Sequence, residues 1–332
     1  MEGEHGTMIH PDVSVVVCTL NRADMLRPAL GSLCALETGR NFTYEVLVVD
    51  NASTDHTSDV LRDAAAATDI VVRIVCEPRR GLPAVRNRGV REARGEWIAF
   101  FDDDQLADSR WLLELWRIAG DKRARCVGGA VRLQLPADWR WRLRPLCRVL
   151  LGETPAVDTP LRFTTRFTPG TGNLMVHRSV FDEIGMFDDA FQLRGEDTDL
   201  FLRIQKAGIE GWYSPAARID HVIPEARLAP ECMGRLIRLI TRRIPQLDWE
   251  ERGGAWVFPF LWGARWVRVS WLALRQLPAA WLRRDRAAAL EARCQLGFAA
   301  GYSRDALDMI HDRCRARCRL AQGRSPAPSA PK

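Results

Sequence analysis

The alternation of short apolar runs with helical stretches over the first two thirds of this 332-residue chain predicts an α/β fold with a doubly wound sheet. An α-helical C-terminal appendage is expected to follow it. Three observations carry the prediction. The runs Val13–Cys18, Tyr44–Asp50, Ile70–Cys76 and Trp97–Phe101 are nearly all apolar and are separated by helices, the pattern of a sheet buried on both faces. Each run is followed by polar or charged residues, and sheets of this kind bind ligands beyond the carboxyl ends of their strands. From about Ala229 the alternation stops and Arg, Trp, Leu and Ala dominate.

The elements follow in order. A helix is expected from Ala23 to about Leu36 after the first strand, and another to about Ala67 after the polar turn NASTDHT. Leu82–Arg94 reads as a helix with small residues along one side, and the fourth strand runs straight into three carboxylates. Pro136–Pro169 is irregular and rich in Trp and Arg, a mobile loop or a short helical insertion. Gly170–His177 returns to a strand pattern and Ser179–Gly185 is a short helix. Asp197–Ala207 carries apolar residues at helical spacing and stops at Gly208. Gly211–Ser214 is one more short strand, leading to His221. The domain reading is therefore a tail at 1–11 and an α/β domain at 12–228, divided into halves at 12–104 and 105–228. A helical region at 229–322 and a disordered Pro/Ser-rich tail at 323–332 complete it.

Composition narrows the class. Hydrophobic residues make up 47% and charged residues 27%, ordinary for a globular chain with a sizeable core and far from a low-complexity one. The net charge of +6 suits an anionic partner without selecting one. No basic, then apolar, secretory signal is visible at the start. Nine scattered cysteines fit free thiols in a reducing cytoplasm. Cys314 and Cys318 stand four apart on an expected helix, but no second ligand pair with zinc-like spacing accompanies them, and their role stays open.

Two acidic clusters stand out. Asp102, Asp103 and Asp104 repel one another, and a fold that concentrates three carboxylates commonly supplies a cation. Mg²⁺ or Mn²⁺ would take such oxygens and bridge to phosphates. The competing reading is an acidic turn, or a cap for a helix near Ser109. Just upstream, PRRGLPAVRNRG places Arg79 and Arg86 near the same strand ends, and guanidinium forks match phosphate oxygens. The second cluster, Glu196 and Asp197 after Gly195, opens a helix. Asp197 is either an N-cap or a carboxylate that the helix dipole keeps ionised for general-base work.

The pieces VSVVVCTLNR, EVLVVDNASTD, GLPAVRNRGVREARGEWIAFFDDD and GTGNLMVHRSVFDEIGMFDDAFQLRGEDTDLFLRIQKAG resemble, in this order, the family 2 glycosyltransferases of GT-A fold. The resemblance covers roughly Val13 to His221. It implies an inverting, metal-dependent transfer of a sugar from a UDP-, GDP- or dTDP-sugar to an acceptor hydroxyl, with Mg²⁺ or Mn²⁺ as cofactor. The acceptor would be a glycan or a lipid-linked species, in glycan, polysaccharide or glycolipid biosynthesis. The resemblance puts Asp50 and Asn51 at the nucleoside base and Thr19, Asn21 and Arg22 in the first donor loop. Asp102 and Asp104 form the ends of the DxD motif, with Asp102 toward the ribose, Asp103 between them and Asp104 on the metal. His221 would be a second metal or diphosphate contact. Asp197 would take the acceptor proton with Glu196 beside it, and Gly172 and Asn173 would line the acceptor side. Where many members read DDGS after the second strand, this chain reads Asp50-Asn51-Ala52-Ser53, which blurs the identity of the nucleotide.

Ala255–Trp281 holds five tryptophans among leucines and valines. It is interrupted by Arg265, Arg268 and Arg275 and bracketed by Pro259 and Pro278. With the arginines on one side of a helix and aromatic and aliphatic anchors on the other, it reads as a basic helix lying in a membrane interface. The expected location is then cytoplasmic, peripheral to the membrane. The alternative is packing on the catalytic domain. The arginine-rich stretches near Arg283 and Arg313 come with acidic residues and no nucleic-acid motif, which disfavours nucleic acid as a partner. A dinucleotide-dependent oxidoreductase would need GxGxxG after the first strand, where CTLNRADM stands instead. A non-catalytic sugar-nucleotide-binding or scaffold protein on the same fold is the remaining alternative.

Overall fold

The computed structural model describes residues 10–139, 143–164, 167–168, 170–191, 195–241, 244–251, 254–282 and 284–321. Residues 1–9 of the expected N-terminal tail, the expected tail at 323–332, residues 192–194 and the Cys318 side chain lie outside them. The chain divides into two units. The first comprises residues up to Gln134 together with Glu153–Val222, and the second Leu135–Gly152 with everything from Ile223 onward. Residues 135–152, read from the sequence as part of the catalytic domain, thus group with the C-terminal helices.

The first unit is a mixed sheet of nine strands between two helical layers. Strands β1 (Val13–Thr19), β2 (Tyr44–Asp50), β3 (Val71–Cys76) and β4 (Trp97–Asp102) are parallel in the order β3-β2-β1-β4. Beyond β4 the order continues with β8 (Asn173–His177), β6 (Cys126–Gln134), β9 (Gly211–Val222) and β5 (Gln105–Ala107), and β7 (Leu161–Arg162) pairs with β9. β8 runs antiparallel to β4 and β6, whereas β6 and β9 are parallel. The side-chain alternation of the strands splits the core in two. Val13, Val15, Val17, Val46, Val48 and Phe101 face α1 (Ala23–Cys34), α2 (Thr57–Ala66) and α4 (Trp111–Lys122). Val16, Leu47, Val49, Ile98 and Phe100 face α3 (Leu82–Glu92), α6 (Arg178–Ile184) and α7 (Glu196–Lys206). Leu26, Leu30 and Leu33 of α1 are fully buried at helical spacing, each contributing about 1.5–3 kcal/mol by burial.

Three features depart from the sequence reading. β3 is the outer strand of the sheet, so Val71 and Ile74 of its apolar run are exposed rather than covered. β6 and the far half of β9 were not expected. Two glycines weaken the strand pattern of β6, yet a Cβ at Gly129 would lie 2.2 Å from the Ala217 carbonyl, and the ladder bulges there. The expected short strand at Gly211–Ser214 is the start of the twelve-residue β9, which carries His221 in its own ladder, opposite Gln105.

The second unit is helical: α5 (Pro145–Leu150), α8 (Pro230–Thr241), α9 (Ile244–Glu251), α10 (Gly254–Leu282) and α11 (Arg286–Ala321). Phe258 of α10 packs against Tyr302 and Ala306 of α11, and Trp262 Nε1 donates to Ser303 Oγ at 2.9 Å. Pro259 and Pro278 lie inside α10 and do not bracket it. Buried Glu291 of α11 accepts from the Leu146 and Cys147 amides at the start of α5, groups that no turn of that helix satisfies. Cys147 and Cys294, both buried, stand with their sulfurs 3.6 Å apart.

Candidate active site

The site lies wholly in the first unit, at the carboxyl edge of the parallel strands. Register sets the stage: Thr19 is level with Asp50, Cys18 with Asp102, and Asp50 with Cys76. The polar residues that follow these strands therefore emerge on one rim. α3 approaches β1 so closely that a Cβ on Gly89 would meet Val16 at 2.4 Å, and this contact brings Arg86 to the same rim.

Around the three aspartates the polar groups interlock. Thr19 Oγ1 donates to Asp103 at 2.8 Å, and Arg22 donates to Asp103 at 2.8 Å and to Asp104 at 2.9 Å. Burial pushes the Asp103 carboxyl up to about 6 against the pull of Arg22 and Thr19. Burial also disfavours the charge on Arg22, but Asp103 and Asp104 more than restore it. Asp104 and Asp103 are nearly inaccessible. His221 Nε2 stands 3.5 Å from Asp104 Oδ1, and the Val222 amide donates to the Asp104 carbonyl, so the end of β9 is fastened to this turn.

Asp102 faces a different set. Its amide donates to Gln105 Oε1 at 3.2 Å and its carboxylate accepts from Gln105 Nε2 at 3.4 Å. Gly172, in the turn before β8, presses on it: a Cβ there would lie 2.2 Å from Asp102 Oδ2. Burial raises the Asp102 carboxyl above its ordinary range, with Arg86 opposing. Arg86 Nη2 is 3.8 Å from Asp102, and Arg86 Nη1 donates to Glu196 at 2.5 Å. Burial works against the Arg86 charge too, but Asp102, Glu196 and Asp197 together raise its proton affinity. Cys18 lies beneath, its thiol pushed by burial up to about 12 and so kept neutral.

Glu196 and Asp197 open α7 behind Gly195, whose φ of +106° only glycine adopts without strain. Glu196 is buried and its Oε2 has no partner among the described residues. Asp197 accepts from the Thr198 amide at 2.7 Å and is more accessible.

The remaining expected residues hold loops. Asp50 accepts from the amide and hydroxyl of Ser53, Asn21 accepts from the Thr54 amide at 2.7 Å, and the Asn21 amide donates to Ser53 Oγ at 2.9 Å. Asn51 donates to the carbonyls of Glu77 and Arg79, and the Arg79 guanidinium turns to Glu77 and Asp189 and is not among the groups at the three aspartates. Asn173 is fully buried. It accepts from Trp111 Nε1 at 2.7 Å and donates to the Ala130 and Ala217 carbonyls, tying three elements together. Gln105 was missed by the sequence reading, although it directly follows the aspartates. Asn87 exchanges two hydrogen bonds with the Phe187 backbone and fixes the loop that leads toward α7.

Comparison with known proteins agrees with this geometry. The family model described as Glycosyl transferase family 2 matches residues 14–185, slightly more than half of the chain. Glycosyltransferase AglE of Haloferax volcanii is 27% identical over 200 residues, 60% of this chain and 62% of AglE, so the match spans less than two thirds of that relative. The succinoglycan biosynthesis protein ExoM of Rhizobium meliloti is 26% identical over 226 residues, 66% of this chain and 69% of ExoM. The mannosyltransferase PcManGT of Pyrobaculum calidifontis, solved with GDP-Man and Mn²⁺, superposes with a TM-score of 0.51 at 21% identity over 95% of this chain and 80% of its own, a likeness of fold. With the sheet order, the rim of polar strand ends and the family match in agreement, this chain of GT-A fold belongs to glycosyl transferase family 2.

Proposed function

We propose that the chain is an inverting glycosyltransferase that moves a sugar from a nucleoside-diphosphate donor to an acceptor hydroxyl in glycan, polysaccharide or glycolipid biosynthesis. The observation that carries the reading is the convergence at one rim of the buried aspartate turn, two guanidinium groups and the carboxylates that open α7.

Roles follow from chemistry. Asp50, Thr19 and Asn21 stand where the nucleoside would be held, with Asp102 toward its ribose. Asp104 and His221, an oxygen donor beside an imidazole, fit a divalent cation as a partial shell. Among the described residues no three His, Cys, Asp or Glu side chains are arranged so that they alone could hold a metal ion. The rest of the shell would come from diphosphate oxygens and water. When bound, Mg²⁺ or Mn²⁺ would neutralise charge on the leaving diphosphate. Arg22, paired with Asp103 and Asp104, would add positive charge where the diphosphate is held. Arg86 adds fixed positive potential beside Asp102. Asp197, in the first turn of α7, would accept the acceptor proton as the hydroxyl attacks the anomeric carbon. Arg86 holds Glu196, and so the start of α7, in position.

We place the reaction on the cytoplasmic side, peripheral to the membrane. Free thiols and the basic, aromatic α10 support this. No helix among the described residues is long and apolar enough to cross a membrane. Thermal unfolding in the presence of UDP-, GDP- and dTDP-sugars, with and without Mn²⁺, tests the activity. A ligand at 100 times its dissociation constant adds about 2.7 kcal/mol. A metal-dependent rise with one nucleotide class, with donor hydrolysis or transfer, is expected. A folded protein that responds to none of them and hydrolyses none would be the non-catalytic scaffold instead.

A further inference from the structure

We infer that the outward face of α10 is a docking surface for an anionic lipid bilayer, the helix lying in the plane of the interface. The inference rests on the peripheral location proposed above and on no part of the catalytic reading. α10 has 29 residues, about 43 Å at 1.5 Å per residue. Its inner side is settled: Phe258 packs on α11, and Arg265 donates to Asp248 at 2.9 Å and lies over the Tyr302 ring. Arg265 therefore does not share a water-facing side with the other two arginines, as the sequence had led us to expect.

The outer side is bare. Trp256, Phe260, Val267, Trp271, Leu274 and Trp281 are 53–87% exposed. At 3.6 residues per turn they fall within an arc of about 80°. An apolar stripe of this length on a single helix exceeds what scattered surface hydrophobes require.

Charge selects the occupant. Gly254–Leu282 contains no Asp or Glu. Arg268 and Arg275, both exposed, flank the arc on one edge, and Arg275 lies over the Trp271 ring at 4.6 Å. Beyond the last turn, Trp281, Arg284 and Arg286 line a cleft of ≈ 660 Å³. Asp285 in that cleft is already engaged with Arg144 and the α11 amides, so the exposed charge there is basic. An apolar stripe with aromatic residues at both ends and arginines on its border matches the acyl–headgroup boundary, where such a face sinks about 5–10 Å. A second copy of the chain would bring the same arginines against one another.

Flotation of the full chain tests this, using vesicles of phosphatidylcholine alone or with phosphatidylglycerol. Binding is expected to the anionic vesicles, to weaken with added salt, and to fall about thirtyfold in the Arg268→Gln/Arg275→Gln variant. Trp256→Ser/Leu274→Ser/Trp281→Ser, all at exposed positions, should abolish binding while leaving the melting temperature and nucleotide-induced stabilisation unchanged. Those two readouts separate failure of this inference from failure of the donor site and from misfolding. No binding of the folded wild type, equal binding to neutral vesicles, or a dimer in solution that the triple variant dissociates would overturn it.

Discussion

The Arg86 guanidinium of α3 donates to the Glu196 carboxylate at the first turn of α7, 2.5 Å away in space and 110 residues away in sequence. Both side chains are all but inaccessible, at 6% and 4%, and the remaining Glu196 oxygen has no partner among the described residues. Truncating the arginine leaves a buried carboxylate without compensation. Arg86→Ala should therefore lose about 3–5 kcal/mol of stability in urea unfolding. The double change Arg86→Met/Glu196→Leu should recover most of that loss, since two apolar side chains leave no orphan charge. A loss under about 1 kcal/mol for the single variant is what an exposed pair would give and would contradict the burial.

Gly172 is where the turn before β8 makes room for Asp102. An alanine Cβ would meet Asp102 Oδ2 at 2.2 Å and Gln105 Nε2 at 2.7 Å, both the ends of side chains. The backbone at Gly172 is not in the left-handed region, so the fold should tolerate the change and the carboxylate should move. Gly172→Ala should keep its cooperative melt and weaken nucleotide-sugar turnover by on the order of 10²-fold, the scale of an ångström's misplacement. Turnover at the wild-type level would show that Asp102 is not held by this contact.

The parallel half of the sheet was legible because each of its strands is a mostly apolar run with polar residues at or just beyond its end. Tyr44–Asp50 is found where the sequence places it, and β1, β3 and β4 differ by one residue at an end. The antiparallel half was less legible. β6 needs Gly129 to pass Ala217 and Asn173, and glycine lowers a strand's signal just where close approach requires it. β5 has three residues, too few for any periodicity, yet it pairs Gln105 with His221. The site's charged residues were visible as clusters, but their partners were not: nothing local says that Arg22 reaches Asp104 or that Arg86 reaches Glu196. Such pairings belong to the topology, and only the fold reveals them.

In the second unit, Asp285 caps α11. It accepts from the Ala287 amide at 3.0 Å and the Ala288 amide at 3.1 Å, and from Arg144 at 3.3 Å. Burial is the largest single influence and raises its carboxyl, but the Ala288 and Ala287 amides and the Arg144 guanidinium together outweigh it and hold it below the usual range. A folded-state value below the unfolded one means that its stabilisation is present above about pH 3.9 and is lost as pH falls through the folded value. Asp285→Ala should cost about 1 kcal/mol at neutral pH, as for other N-caps, and the gap to wild type should close in acid. Chemical unfolding at neutral pH and near pH 3 checks both; a gap independent of pH would leave the charge with no part in the cap.

Asp197 separates a transferase from a binding protein. It opens α7 with Glu196 and Asp199, and it accepts from the Thr198 amide through Oδ1. An asparagine oxygen can accept the same hydrogen bond, so Asp197→Asn should fold and leave Glu196 with Arg86. What it loses is the ability to take a proton from an attacking hydroxyl. Transfer should fall by on the order of 10²–10⁴-fold. Stabilisation by nucleotide sugar and Mn²⁺ should remain as in wild type, because the donor would be held by groups on β1, β2 and the aspartate turn. Assaying both quantities on one preparation makes the test decisive. Lost stabilisation would move Asp197 into donor binding, and near-normal transfer would assign the proton to another group.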